Sequence, residues 1–245
     1  MKGTALTVAT RFLTCEDETV YEAQHVRKRA ATSTGGPGFD DIIKKKETDP
    51  ESAMRIVHYP HPALRHKSKP ISTIDRELHL NVGRMMELMY EAKGLGLAAP
   101  QVALPYQLLV MNISGDPKQP EKEEVFVNPI IVDKKGVIDD EEGCLSFPGL
   151  YQNVRRAKAI KVQAYDLKGN LVEKVVNDLE ARAWQHEIDH LNGVLLIDMM
   201  GPIAKLSSRS SVKNFERAFK KAQEKGEIPP EFEIEKLLAA MEANA

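Results

Sequence analysis

The sequence predicts an α+β fold, and two observations lead there. Strand-like stretches at residues 107–113, 125–133 and 159–176 follow one another before a single helix, without the regular strand–helix alternation that builds a parallel sheet. That helix is apolar or chemically functional around most of its circumference: Leu179, Ala183, His186 and His190 share one face, and Trp184, Ile188, Leu191 and Leu195 another. Its stretch WQHEIDHLNG, residues 184–193, sets two histidines four apart, on one helical face and within reach of one ion. The expected architecture is mostly antiparallel strands packed around a central buried metal-binding helix.

Taken in order, residues 1–53 mix charges around a Gly/Pro break and hold no sustained period, which reads as a disordered extension. Glu16, Asp17, Glu18, Glu22, Asp40 and Asp41 make it too acidic for an organelle transit peptide. Met54 opens the first well-patterned segment and is a candidate translation start. A domain over residues 54–200 and a helical tail over 201–245 are expected to follow. From 74 to 93, Leu78, Val82, Met85, Met86 and Met89 recur at helical intervals, with Gly94 placed for the stop. GLGLAAPQ, residues 94–101, reads as a small-residue turn into the strand at 107–113. The stretch 159–176 divides at Lys168-Gly169-Asn170 into a hairpin. The histidine helix starts with Asn177 or Asp178 as N-cap and ends at Asn192-Gly193. A helix of about fifteen residues is expected from Val212, closed by Gly226 and Pro229-Pro230. A last short amphipathic segment carries Phe232, Ile234, Leu237, Leu238 and Met241.

Composition narrows the function. The 245 residues carry a formal net charge of −2, without the basic footprint of a nucleic-acid binder, so DNA is not an expected partner and a small molecule or peptide is. No apolar run reaches membrane-spanning length, and the N-terminus lacks the parts of a secretory signal; a cytoplasmic protein without membrane partners is expected. Only Cys15 and Cys144 occur, which suits a reducing compartment where a thiol can act as a ligand.

In the H-E-x-x-H arrangement Glu187, beside His186, serves as general base. Two histidines alone bind weakly, so a third ligand is needed. The extended zinc-peptidase pattern would put a histidine where Leu196 stands, with Gly193 at its glycine position. Glu216 on a later helix lies among Lys213, Arg217 and Lys220, as on a solvated charged face. Cys144 in EEGCLSFPG, residues 141–149, is the stronger candidate: it follows Gly143, where the backbone can approach another element closely, and it would complete a His2Cys site with one open position.

GLGLAAPQ, EEGCLS and QHEIDHLNG, in this order, resemble the three signature motifs of the peptide deformylases, which remove the N-formyl group from nascent chains. The segment MRIVHYPHPALRHKSKPI, residues 54–71, is similar to that family's N-terminal segment. The resemblance implies metal ligands at Cys144, His186 and His190, and a catalytic acid/base at Glu187. It also implies oxyanion donors at the Gln101 side-chain amide and the Leu145 backbone N–H, and a substrate path lined by Gly96. Glu142 and Arg156 would pair to brace the cysteine segment. Leu179 and Ala183, two turns and one turn before His186, are candidates for a methionine pocket. Asp189 points away from the histidine face, toward a structural hydrogen bond, and Trp184 belongs to the core. The resemblance favours Fe2+, whereas ligand affinity order leaves zinc open. The basic residues Lys213, Arg217, Lys221 and Lys225, with Lys220 beside them, are a candidate ribosome-docking face. A zinc endopeptidase on the same helix and a catalytically dead binding module are the rival readings. Initiation at Met54 predicts an endogenous product whose intact mass starts at that residue; a mass beginning at Met1 contradicts it.

Overall fold

The computed structural model describes residues 54–243. The expected extension 1–53 therefore lies outside the described residues. A five-stranded antiparallel sheet has the order β1-β2-β3-β6-β7, and a separate hairpin pairs β4 with β5. The strands are β1 (Gly96–Ala98), β2 (Leu108–Met111), β3 (Glu124–Lys135), β4 (Ile138–Gly143), β5 (Tyr151–Arg156), β6 (Ala159–Tyr165) and β7 (Leu171–Asn177). The helices are α1 (Arg76–Glu91), α2 (Asp178–Leu191), the single turn α3 (Leu196–Met199), α4 (Pro202–Glu224) and α5 (Glu231–Glu242).

Strand β2 shows how the layers meet. Leu108 and Val110 pack with the α1 residues Val82, Met85 and Met89, while Leu109 and Met111 pack with Ala181, Trp184 and Ile188 of α2. Both faces of the strand are covered, which is why it reads as an unbroken apolar run rather than an alternating one. Trp184 is buried, its ring centroid 4.2 Å from that of Phe126 on β3. The 159–176 stretch does form a hairpin, with Gly169 at φ +77° in its turn and Ala159 paired to Asn177. Strand β3 is interrupted by a register shift after Val127. There Asn128, at φ +52°, turns its side chain to donate to the Ile71 carbonyl and accept from the Ile71 N–H, both at 2.8 Å.

Three expectations need correction. The residue that closes α1 in the left-handed region is Lys93, at φ +57°, not Gly94. Gly94 is needed for another reason: a Cβ there would lie 2.7 Å from Leu145 Cδ1. The long C-terminal helix starts at Pro202 rather than Val212 and has 23 residues. Its serine-rich start reads as loop by propensity, yet Pro202 suits a first helical position and Ser208 is buried, accepting from Gln152 Nε2 at 2.9 Å. Strands β4 and β5 were not foreseen as strands, because four consecutive acids, Asp139 to Glu142, argue against a strand on propensity. The register supplies what propensity withholds: Asp139 lies opposite Arg155, and Ile138 opposite Arg156.

The tail helices pack onto the domain. Phe215 of α4 meets Phe147 edge-on at 5.7 Å, and Phe219 meets His61 edge-on at 6.1 Å. Ile234 and Leu238 of α5 close a small core with Phe219 and Ala63. Burial, with a contribution from the Arg55 charge, lowers the His61 pKa from 6.5 to about 4. Above 6.5 the ring is neutral in both folded and unfolded chains. Below it the unfolded chain takes up a proton that the folded chain refuses, so stability falls between pH 6.5 and about 4. From pH 7 to pH 5 this costs about 2 kcal/mol. Urea unfolding of His61→Gln should show a loss smaller than wild type by about that amount; equal losses in the two proteins contradict the assignment.

Candidate metal centre

Helix α2 brings the histidines together. One turn apart, the His186 and His190 rings have centroids separated by 5.0 Å at an interplanar angle of 76°. Cys144 enters from the end of β4, where Gly143 is the last paired residue, and its carbonyl accepts from the Phe147 N–H at 2.9 Å to close a turn. The Cys144 Sγ lies 3.3 Å from His190 Nε2, and the three ligating atoms of Cys144, His186 and His190 lie within 4.8 Å of one another. All three residues are buried. A tyrosine ring sits where a side chain at position 143 would go: a Cβ on Gly143 would lie 2.6 Å from Tyr151 Cε1. The approach foreseen for Gly143 is therefore made to Tyr151. Glu216, the other ligand weighed from sequence, is not in this cluster and accepts from Tyr59 Oη at 3.4 Å.

The donor set fits a divalent cation. The Nδ1 of His186 is taken by Glu142 Oε2 at 3.1 Å, which leaves Nε2 as its ligand atom. Burial opposes charge on His186, but hydrogen bonds to Cys144 and Glu142 outweigh it and hold its pKa well above the ordinary imidazole value. Burial, reinforced by the positive charges of His186 and Arg156, pushes His190 well below. A thiol and two imidazoles meeting in a buried cluster match the three-ligand pattern of a catalytic site.

Glu142 is the hub beneath them. Its carboxylate accepts from Arg156 Nε at 2.9 Å and Nη2 at 3.0 Å, from Arg182 Nη1 at 2.7 Å, and from His186. Burial alone would raise its pKa; the bonds from His186 and Arg156 reverse that and lower it to about 2. Arg182 also donates to the Val154 carbonyl at 2.9 Å and the Ile138 carbonyl at 3.2 Å, so α2 is stitched to the β4–β5 hairpin. Arg156 makes a further ion pair with Asp189. The Glu142–Arg156 pair and a structural bond for Asp189 were expected from sequence; Arg182 was missed. Its signal was positional, one helical turn before His186 on the same face.

Glu187 is buried next to the ligands. Burial raises its pKa, the His186 charge opposes this and Glu142 adds to it, with a net result of about 7. A Cβ on Gly96 would lie 2.7 Å from Glu187 Oε1, so any other residue at this point of β1 would displace the carboxylate from its present position. The Gln101 amide is oriented by its neighbours: Oε1 accepts from the Ala98 N–H at 2.8 Å, and Nε2 faces Ser146 Oγ at 3.4 Å and Cys144 Sγ at 3.8 Å. Ser146, fully buried, was not singled out from sequence. A cavity of about 650 Å³ opens over these groups and is lined by Gly96, Gln101, Leu145, Leu179, Ala183 and Glu187, among others. Ala183 is buried in its wall, whereas Leu179 is 51% exposed and sits at its mouth.

An antiparallel sheet packed on a helix that brings two histidines and a buried glutamate to a cysteine is the arrangement of a metal-dependent hydrolase. The family model for polypeptide deformylase matches residues 53–206. A peptide deformylase of Rhodopirellula baltica is 39% identical over 191 residues, covering 78% of this chain and 94% of that protein. Peptide deformylase 1B, chloroplastic/mitochondrial, of Arabidopsis thaliana is 40% identical over 199 residues, covering 80% and 71%. Among solved structures, a Plasmodium falciparum peptide deformylase superposes with TM-score 0.67 at 38% identity, covering 68% of this chain and 98% of that one. The chain belongs to the polypeptide deformylase family.

Replacing Glu142 by Gln keeps its shape but removes the charge that orients His186. Affinity for a divalent ion is expected to fall tenfold to a hundredfold, read by competition with a chromogenic chelator. Unchanged affinity in a folded variant contradicts the role given to Glu142.

Proposed function

We propose that this enzyme removes the formyl cap of formylmethionyl nascent peptides with Cys144, His186 and His190 holding one divalent ion and Glu187 moving the proton. The observation that supports this most is the position of Glu187. Its carboxylate is buried beside the Cys/His/His group, against Gly96, in the cavity that Gln101 and Leu145 also line. A divalent ion in that group supplies a Lewis acid that polarises the formyl carbonyl and brings the pKa of water toward neutrality.

The remaining work falls to side chains. Glu187, with a pKa near the working pH, accepts the proton of the attacking water and returns it to the amine nitrogen as the carbon–nitrogen bond breaks. Formate and a free methionine amine leave. The Gln101 amide, held with its N–H2 toward Cys144, donates to the formyl oxygen as that atom gains charge, and the Leu145 N–H is the second donor. Leu179 and Ala183 offer apolar surface to the methionine side chain, with Gly96 keeping the path beside Glu187 narrow. Fe2+ is the ion we favour over zinc, on the family resemblance.

A buried free thiol needs a reducing compartment, and we place the protein in the cytoplasm; the plant relatives are named for the chloroplast or for chloroplast and mitochondrion. The exposed Lys213, Arg217, Lys220 and Lys221 on α4, with Lys225 at its C-cap, give a basic face suited to ribosomal RNA phosphates. Charge reversal there should weaken ribosome cosedimentation, and unchanged cosedimentation rejects that role.

Glu187→Gln is expected to lower kcat for formate release from formyl-Met-Ala by about 10²- to 10⁴-fold with metal content unchanged. Retention of wild-type kcat contradicts the proton-transfer role. Survival of activity in Cys144→Ser, with cleavage of internal peptide bonds, would instead mark an endopeptidase.

A further inference from the structure

A second cavity, of about 350 Å³, lies between the segment before α1 and the inner face of α4. Its floor is apolar: Phe215, Ala218, Phe219 and Ala222 follow helical spacing along α4, with Val57 and Ile228 beside them. It is a neighbour of the catalytic cavity, because Ile56 and His58 line both. The chain that separates the two is itself tied to the catalytic elements. The Val57 N–H donates to the Gln101 carbonyl at 2.8 Å, and the Tyr59 N–H to the Ser146 carbonyl at 3.1 Å.

One buried polar group faces this second cavity. His61 is 91% buried, being 9% exposed, and lines the wall. Its Nδ1 accepts from the Ala63 N–H at 3.2 Å, which places the proton on Nε2. No partner is found for that Nε2–H among the described residues. The charged groups at the rim are engaged with one another: Arg55 Nη2 donates to the Glu227 carbonyl at 3.4 Å, and the Glu227 carboxylate pairs with Lys225 at 3.1 Å. What the buried wall offers is thus apolar surface and one neutral donor, with the exposed His58 at the edge, which matches an apolar residue of a peptide, side chain and carbonyl together, better than a free anion.

We propose that this cavity is a subsite for the substrate chain downstream of the formylmethionine, seating an apolar side chain on Phe215 and Phe219 with a peptide carbonyl on His61 Nε2–H. The proposal rests on the deformylase reading, since a peptide leaving the catalytic cavity would reach the second one by passing over the exposed His58 that borders both. The enzyme then selects nascent chains by a residue beyond the second position as well as by the formyl cap.

The test is a series of formylated pentapeptides, formyl-Met-Ala followed by three alanines, with a single leucine moved through positions three, four and five. One position should raise kcat/KM by about tenfold over the all-alanine peptide, the increment expected from burying a leucine side chain. In Ala222→Trp, and separately in Ala218→Trp, the leucine-to-alanine ratio at that position should fall to about one. The ratio is internal to each variant, so a general loss of activity does not imitate the result. Absence of any increment at all three positions in the wild-type enzyme, or an increment that survives both tryptophan substitutions, overturns the proposal. Failure of the wild-type enzyme to release formate from formyl-Met-Ala would instead reject the deformylase reading beneath it.

Discussion

Glu142 presents both oxygens of one buried carboxylate to three side chains that come from different parts of the fold. Arg156 arrives from the partner strand of the same hairpin, while Arg182 and His186 come from successive turns of α2. Taking a carboxylate and two guanidinium groups out of water costs several kcal/mol per ion. The network survives that cost because the lone pairs are filled: both oxygens are bonded, and Arg182 spends its remaining donors on strand carbonyls. Its consequence is geometric. Cys144 is two residues beyond Glu142 on the hairpin, and His186 is one turn beyond Arg182 on the helix, so the clamp that joins hairpin to helix also fixes the thiol over the imidazoles.

Close packing does the rest. The active-site cavity is framed by places where a side chain has been withheld: Gly94 against Leu145, Gly96 against Glu187, and Gly143 against the Tyr151 ring. Each lets one element come nearer to another than a Cβ would permit. On the far side, β2 is covered on both faces by α1 and α2, so the strand next to the Gly96 strand has little freedom to shift. A rigid sheet on one side and a clamped hairpin on the other leave α2 held between them, and a pre-set donor geometry is what catalysis by charge stabilisation requires.

Much of this was legible in the sequence because the chemistry leaves local signatures. A histidine pair at helical spacing, a glutamate beside it and a cysteine after a glycine are short-range patterns, and Trp184 in the core followed from helix periodicity alone. The parts that were not legible depend on long-range pairing. Asp139 to Glu142 lack strand propensity, and they form a strand only through pairing with β5, where Arg155 lies opposite Asp139. Ser208 reads as a helix-start or loop residue until Gln152, 56 positions away, hydrogen-bonds it. Arg182 carries no motif; the Glu142 carboxylate and the carbonyls of Ile138 and Val154, all distant in sequence, reveal why a buried arginine is tolerated there. For Leu179, a pocket candidate from its place on the His186 face, periodicity gave no sign of how exposed it is: it stands at the cavity mouth, 51% exposed.

The central claim is that the Glu142 clamp brings one sulfur and two imidazole nitrogens to a single ion. X-ray absorption spectroscopy at the metal edge of anaerobically purified protein reads that ligand set directly. One sulfur scatterer is expected at about 2.3 Å, the distance of a thiolate on a first-row divalent ion such as zinc, together with two imidazole nitrogens. An ion coordinated by nitrogen and oxygen alone, with no sulfur in its first shell, would contradict it.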